Sequence, residues 1–192
     1  MAEVVLYHHS QGLTPGVLAF AAELRAAGHT VHTPDLYEGN TFDTIDDGMA
    51  YARKVGFDAL LSAGAAAASA LPEAVVYGGF SLGGMPAQLL AQTRPGARGA
   101  LLYHTSVPPA EFGGEWPAAV PVRIHAMEND PYFAEEGGDI DAARAIVAAA
   151  DDGELYLYPG DQHLFTDSSL AAYDADATAL VVRRTLEFLA GR

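Results

Sequence analysis

A serine between glycines, an aspartate before a proline and a later histidine follow one another along the chain as Ser81, Asp130 and His163. A serine hydroxyl is a weak nucleophile at its free pKa. It needs a histidine to take its proton and a carboxylate to orient that histidine. Ser81 lies in Gly79-Phe80-Ser81-Leu82-Gly83, a Gly-x-Ser-x-Gly pattern. The pattern carries chemistry where a strand runs into it and a helix leaves it, because the sharp turn exposes the hydroxyl. Both flanks are present. Ala74 to Tyr77 is a short apolar run of the kind a strand covered on both faces requires. Leu82, Met85, Leu89 and Leu90 then form a helical stripe, with Gln88, Gln92 and Arg94 on its polar side. The plainer alternative is a glycine-rich turn with an incidental serine, since so short a pattern recurs by chance. Pro86 removes a backbone donor early in this helix and predicts a distorted first turn.

The acid and the base have rivals. Glu128, Asp139 and Asp141 compete with Asp130, which is preferred because it lies just past a strand end and precedes a turn-favouring proline. His8, His9 and His104 compete with His163, but only His163 follows the acid in the order serine, acid, histidine. His8, His9, His104 and His125 lack the His-x-x-x-His pair and the carboxylate cluster of a metal site, so no metal is expected. His125 alternates with Ile124 in a strand and reads as packed there. The aromatic residues Tyr7, Tyr103, Trp116, Tyr132, Phe133 and Phe165 divide between an apolar acyl pocket and core packing, and packing is the commoner role.

The elements that must position these residues alternate. A strand at Val4 to His8 precedes a helix at Leu13 to Ala27, closed by Gly28 as a C-terminal cap. A strand at His29 to Thr33, a loop at Gly39 to Asp43 and one or two helices from Ile45 to Ala70 follow, with Gly56 and Gly64 as candidate breaks. After the serine turn come a strand at Gly99 to His104, a loop at Val107 to Pro121 and a strand at Val122 to Met127. A helix near Ile140 to Ala150, a strand at Leu155 to Tyr158 and a helix near Ala175 to Ala190 complete the chain. Strands separated by helices predict an α/β fold, a mainly parallel sheet with helices on both faces. No repeat or linker divides residues 1–192, so one domain is expected. In such sheets chemistry collects at the C-terminal strand ends. Those ends carry His8 to Gly12, Ser81, Tyr103 to Thr105, Glu128 to Pro131 and Pro159 to His163.

Composition narrows the function. A net charge of −15 with a single lysine, Lys54, argues against nucleic acid as a partner. No apolar run approaches a membrane span, and a strand pattern begins at Glu3, so neither a membrane anchor nor a signal peptide is expected. Without cysteine there is no disulfide, zinc–thiolate site or thiol nucleophile, which fits a cytoplasmic protein. Asp46-Asp47 and Glu135-Glu136 read as solvated surface.

Taken together, the ordered segments resemble the dienelactone hydrolase family of α/β hydrolases over nearly the whole chain. They are Gly12-Leu13, Pro34-Asp35-Leu36-Tyr37, Gly79-Phe80-Ser81-Leu82-Gly83-Gly84, Asn129-Asp130-Pro131, Tyr158-Pro159-Gly160 leading to His163, and Arg184 to Leu189. The resemblance implies Ser81 as nucleophile, His163 as general base and Asp130 as orienting acid. The family's best-known members have cysteine at the turn and a glutamate after the first strand, where this chain has Ser81 and His9. Members that cleave dienelactone keep an arginine just after the histidine; here the segment is Leu164-Phe165-Thr166-Asp167. That acidity argues against dienelactone or another anionic lactone as substrate.

The expected activity is therefore a conventional serine mechanism on a small carboxylic ester or lactone. The oxyanion would be held by the backbone N–H groups of Leu82 and Ser10. His9, Gln11, Tyr103, His104 and Phe165 are the candidates for a substrate pocket. No cofactor is needed, and the chain would act as a monomer or homodimer. A non-catalytic binding protein on the same fold, or a thioesterase or peptidase using the same triad, are the competing readings.

Overall fold

Along β1 (Glu3–Tyr7) successive side chains leave on opposite faces, and both faces are apolar. Val4 and Leu6 join one buried cluster while Val5 and Tyr7 join another. The same alternation holds in β4 (Gly99–Tyr103), with Leu101 and Tyr103 against Ala100 and Leu102. Such strands are stable only if helices cover both faces. The first cluster is closed by α1 (Pro15–Ala26) and α6 (Ala175–Ala190). The second is closed by α4 (Gly84–Thr93) and α5 (Asp139–Ala149), with Ala68 at the end of α3 (Phe57–Ala68). The computed structural model describes residues 1–135 and 138–192.

With β2 (Thr30–His32), β3 (Val76–Phe80), β5 (Val122–Met127) and β6 (Gly153–Tyr158), the strands form one sheet in the order β2-β1-β3-β4-β5-β6. Every pairing is parallel. The α/β class and the parallel sheet expected from the sequence are borne out. The chain steps outward from β1 to β2 and then returns to the other side of β1, so direction reverses between β1 and β3. Loops there diverge and leave a crevice above the strand ends. Among the described residues no helix is long and apolar enough to cross a membrane.

Several boundaries shift for physical reasons. The strand before Ser81 runs from Val76 to Phe80 rather than Ala74 to Tyr77. Gly78 and Gly79 are weak strand formers, but their pairing with Leu6, Tyr7, Leu101 and Leu102 on both sides overrides that preference. The helical stretch from Ile45 breaks only at Gly56, whose φ of 94° separates α2 (Ile45–Val55) from α3. Gly64 is not a break. A Cβ there would stand 2.6 Å from the Pro86 Cβ, so this glycine lets α3 press against α4. Pro86 does not distort the first turn of its own helix. It is the third residue of α4, where the backbone N–H has no intrahelical acceptor anyway. The irregular turn precedes it, as a 3₁₀ turn at Ser81–Gly83. Asp46, Asp47 and Glu135 are exposed; Glu136 lies outside the described residues.

Candidate active site

β3 carries the chain into the crevice and reverses it within one turn. Ser81 takes a φ of 47°, a left-handed conformation that costs an L-residue roughly 1–3 kcal/mol. The flanking glycines are required by crowding. A Cβ on Gly79 would lie 2.0 Å from the Gly83 carbonyl oxygen, and one on Gly83 would lie 2.4 Å from that of His8. The turn thus presses the serine against the loop that leaves β1.

His163, in the loop between β6 and α6, stands between the other two residues. Its Nε2 is 2.8 Å from the Ser81 Oγ and its Nδ1 is 2.6 Å from Asp130 Oδ2. Asp130 follows β5, is fully buried, and accepts the Tyr132 N–H at its other oxygen, 2.9 Å away. A buried carboxylate held this way takes the His163 Nδ1–H. The Nε2 lone pair is then left facing the serine hydroxyl. The rival acids have other partners or face solvent. Glu128 is exposed, Asp141 pairs with Arg144 on α5, and Asp139 binds the Ser106 N–H at 3.2 Å. His104 and Leu164 also have left-handed backbones, with φ of 63° and 57°, so three strained residues surround this chain of contacts.

Ser81 and His163 open into a cavity of about 370 Å³. One wall is made by strand-end residues, including Leu82, His104 and Thr105. The facing wall comes from α2 and the start of α3, with Ile45, Met49, Arg53 and Phe57. Val107, Tyr132 and Asp139 close the side. Burial raises the Asp139 carboxyl, partly offset by the hydrogen bond from Ser106.

The pocket expected from the sequence needs correction. Of His9, Gln11, Tyr103, His104 and Phe165, only His104 lies on this wall. Tyr103 is fully buried and its hydroxyl bonds Thr185 Oγ1, because its place in β4 sends the side chain into the core. Phe165 is buried against His104 and Tyr158. Gln11 is tied to the Phe42 carbonyl by its side chain. His9 turns to Asp167, with Nε2 to Oδ2 at 2.8 Å and both side chains buried. Burial alone would raise the Asp167 carboxyl, but bonds from His9, Ser169 and Thr14 outweigh it and hold it at about 2. Among the other aromatic candidates only Tyr132 reaches the cavity; Tyr7, Trp116 and Phe133 are core residues. Leu82 lines the cavity, whereas Ser10 is buried beneath α2, where a Cβ on Gly48 would meet its carbonyl oxygen at 2.0 Å.

No pattern in the sequence marks the α2–α3 wall. Its place over the site depends on the close approach of Gly48 to the strand-end loop and of Gly64 to α4. In the sequence Asp167 marks only the absence of a cation, and its histidine partner lies at the opposite end of the chain.

The sequence matches the model of the dienelactone hydrolase family over residues 2–191. Solved structures of the same fold include a dienelactone hydrolase-like promiscuous phosphotriesterase, P91, from metagenomic libraries. It is 20% identical with a TM-score of 0.77, the alignment covering 100% of this chain and 86% of that one. A dienelactone hydrolase from Anabaena variabilis is 16% identical with a TM-score of 0.69, covering 100% and 86%. The ydeN gene product from B. subtilis is 14% identical with a TM-score of 0.63, covering 99% and 100%. A comparison with curated proteins finds no match. At these identities the structures share a fold, and the family match over nearly the whole length supplies the rest: the chain belongs to the dienelactone hydrolase family and is a hydrolase of the α/β superfamily.

Proposed function

We propose that the protein is a serine hydrolase that cleaves a small carboxylic ester or lactone through an acyl-enzyme. The observation that carries this reading is the position of His163, 2.8 Å from Ser81 Oγ and 2.6 Å from Asp130 Oδ2. His163 Nε2 takes the hydroxyl proton as Ser81 Oγ bonds to the substrate carbonyl carbon. The oxyanion accepts the backbone N–H of Leu82, which lines the cavity beside Ser81. His163 then returns the proton to the departing alkoxide, and the C–O bond breaks. A water deprotonated by His163 releases the acid by the same two steps in reverse. No metal or cofactor enters this sequence.

The cavity supports an uncharged substrate, because Ile45, Met49, Phe57, Leu82 and Met85 dominate its surface. Asp167, where a carboxylate-binding arginine would stand, is buried against His9, and among the described residues the one cation on the cavity lining is Arg53 at its rim. We read the protein as a cytoplasmic enzyme, monomeric or homodimeric, acting on a small molecule.

The test is labelling with a fluorophosphonate probe. The native protein should label, and both Ser81→Ala and His163→Ala should not. A folded native protein that fails to label is a binding protein rather than an enzyme. Labelling that survives in Ser81→Ala moves the nucleophile to another residue.

A further inference from the structure

The base loop is held from four strand ends within five residues. His163 meets Asp130 after β5 and Ser81 after β3. Thr166 Oγ1 lies 2.8 Å from Nε2 of His104, the residue after β4. Asp167 Oδ2 lies 2.8 Å from Nε2 of His9, after β1. Between them, Leu164 keeps a φ of 57° and Phe165 is buried, its carbonyl accepting the Thr178 hydroxyl at 3.0 Å. A backbone so strained beside the catalytic base persists only where its surroundings over-determine it.

We propose that His9 and His104 are positioning residues, which hold the loop from His163 to Asp167 so that the His163 Nε2 stays aimed at Ser81. This rests on the serine hydrolase reading. Both histidines have a geometry that suits a fixed brace and not proton transfer. His9 Nδ1 accepts the Gln11 N–H at 3.2 Å, so its own proton sits on Nε2 and is donated to Asp167. The brace therefore links the base loop to the segment that carries Ser10. Asp167 is in turn saturated by Thr14 and Ser169, so it is itself held in place. His104 is fully buried between Phe80 and Phe165, its ring edge-on to that of His163 at 5.7 Å. Burial pushes its pKa well below the usual value, so it stays neutral beside His163. Among the described residues Thr166 is the sole hydrogen-bond partner of the His104 ring, whose Nδ1 has none. Breaking that one bond frees the loop on the β4 side.

The experiment compares Thr166→Val, which removes the hydroxyl at constant volume, with Thr166→Ser, which keeps it. It also compares His9→Phe with His9→Gln, whose amide nitrogen reaches the position of Nε2. A displaced base of this kind costs up to about 10²-fold in turnover. Thr166→Val and His9→Phe should therefore lower kcat on p-nitrophenyl acetate about 10- to 100-fold with KM nearly unchanged. Thr166→Ser and His9→Gln should recover most of the loss. Unchanged kcat, or a serine variant as slow as the valine variant, overturns the proposal. A second readout does not depend on activity. The His163 Nδ1 proton, bonded to Asp130, gives a far-downfield NMR resonance, which should shift or broaden in Thr166→Val and His9→Phe and not in their conservative partners. If the native protein shows no turnover, the hydrolase reading fails while this resonance still reports the brace. A resonance that stays put in every variant sinks the positioning role.

Discussion

The two walls of the cavity are built on opposite principles. The strand-end wall is hydrogen-bonded at nearly every polar side chain and stores backbone strain at Ser81, His104 and Leu164. The α2–α3 wall rests on a small apolar cluster around Tyr37, Ala52 and Leu60, and touches the rest through glycines. Its cavity-facing residues are long and apolar, apart from Arg53 and Asp46 at the rim. Rigid, over-determined geometry is what proton transfer needs, because small misplacements are costly there. A smooth apolar surface is what sorting by size needs, because such surfaces discriminate by fractions of a side chain. Under the proposed function, chemistry and specificity occupy different walls of one cavity.

Variants should separate the two walls cleanly. Ser81→Ala removes the proposed attacking group and should lower kcat by about 10⁶, while the thermal midpoint stays within a few degrees because the side chain is only partly buried. A residual rate near the native one would place the chemistry outside the strand-end wall. Asp130→Asn keeps the shape but puts an NH₂ or a weak acceptor against His163 Nδ1. The wrong tautomer then presents a proton to Ser81, and a loss of about 10⁴ in kcat is expected with KM little changed. Steady-state kinetics on one ester measure both. A loss confined to KM would show that Asp130 shapes the pocket rather than orienting the base.

What the sequence reveals follows the same division. Ser81 is legible because its neighbours specify strand, crowded turn and helix within a dozen residues. Asp130 and His163 are legible because strand ends can be read locally and their order tested against the serine. Neither reading gives side-chain direction. Tyr103 and His104 are adjacent, yet alternation sends Tyr103 into the core while the reversed backbone at His104 turns it to the cavity. The α2–α3 wall was illegible because its place over the site depends on close approaches at Gly48 and Gly64, which no local pattern announces. His9 and Asp167 were visible singly, but pairing across so long a separation is a property of the fold.

The buried histidines of the sheet and its strand ends should also make the fold sensitive to acid. Burial pushes His8 down to about 4 and His125 to about 3, and takes His104 well below 6.5. In the unfolded chain these imidazoles protonate near 6.5, whereas in the fold they stay neutral. Their contribution is therefore complete above 6.5 and is lost as pH falls toward their folded values. For His8 alone the loss between about pH 7 and about pH 5 is on the order of 2 kcal/mol. Chemical denaturation at the two pH values should show a large drop in midpoint, reduced in His8→Asn. A midpoint that holds until about pH 4 would assign acid sensitivity to carboxylates such as Asp167 instead.

The smallest effects belong to the α2–α3 wall and bear most directly on specificity. Phe57 and Met49 face the cavity and are only partly buried, so truncation leaves no sealed void and should cost little stability. What it removes is apolar surface that a long acyl chain would cover and an acetyl group would not. A lost methylene contact is worth roughly 1–3 kcal/mol, or about 10-fold at the lower end. Phe57→Ala and Met49→Ala should therefore raise KM for p-nitrophenyl hexanoate by about 10-fold and leave the acetate parameters within about two-fold. Measured across esters of increasing chain length, the ratio of the two variants to native should widen steadily. If acetate and hexanoate suffer equally, this wall shapes the triad rather than the substrate, and the division of labour between the walls is wrong. If neither suffers, the acyl chain leaves past Tyr132 and Val107 instead, and the same panel run on Val107→Ala would locate it.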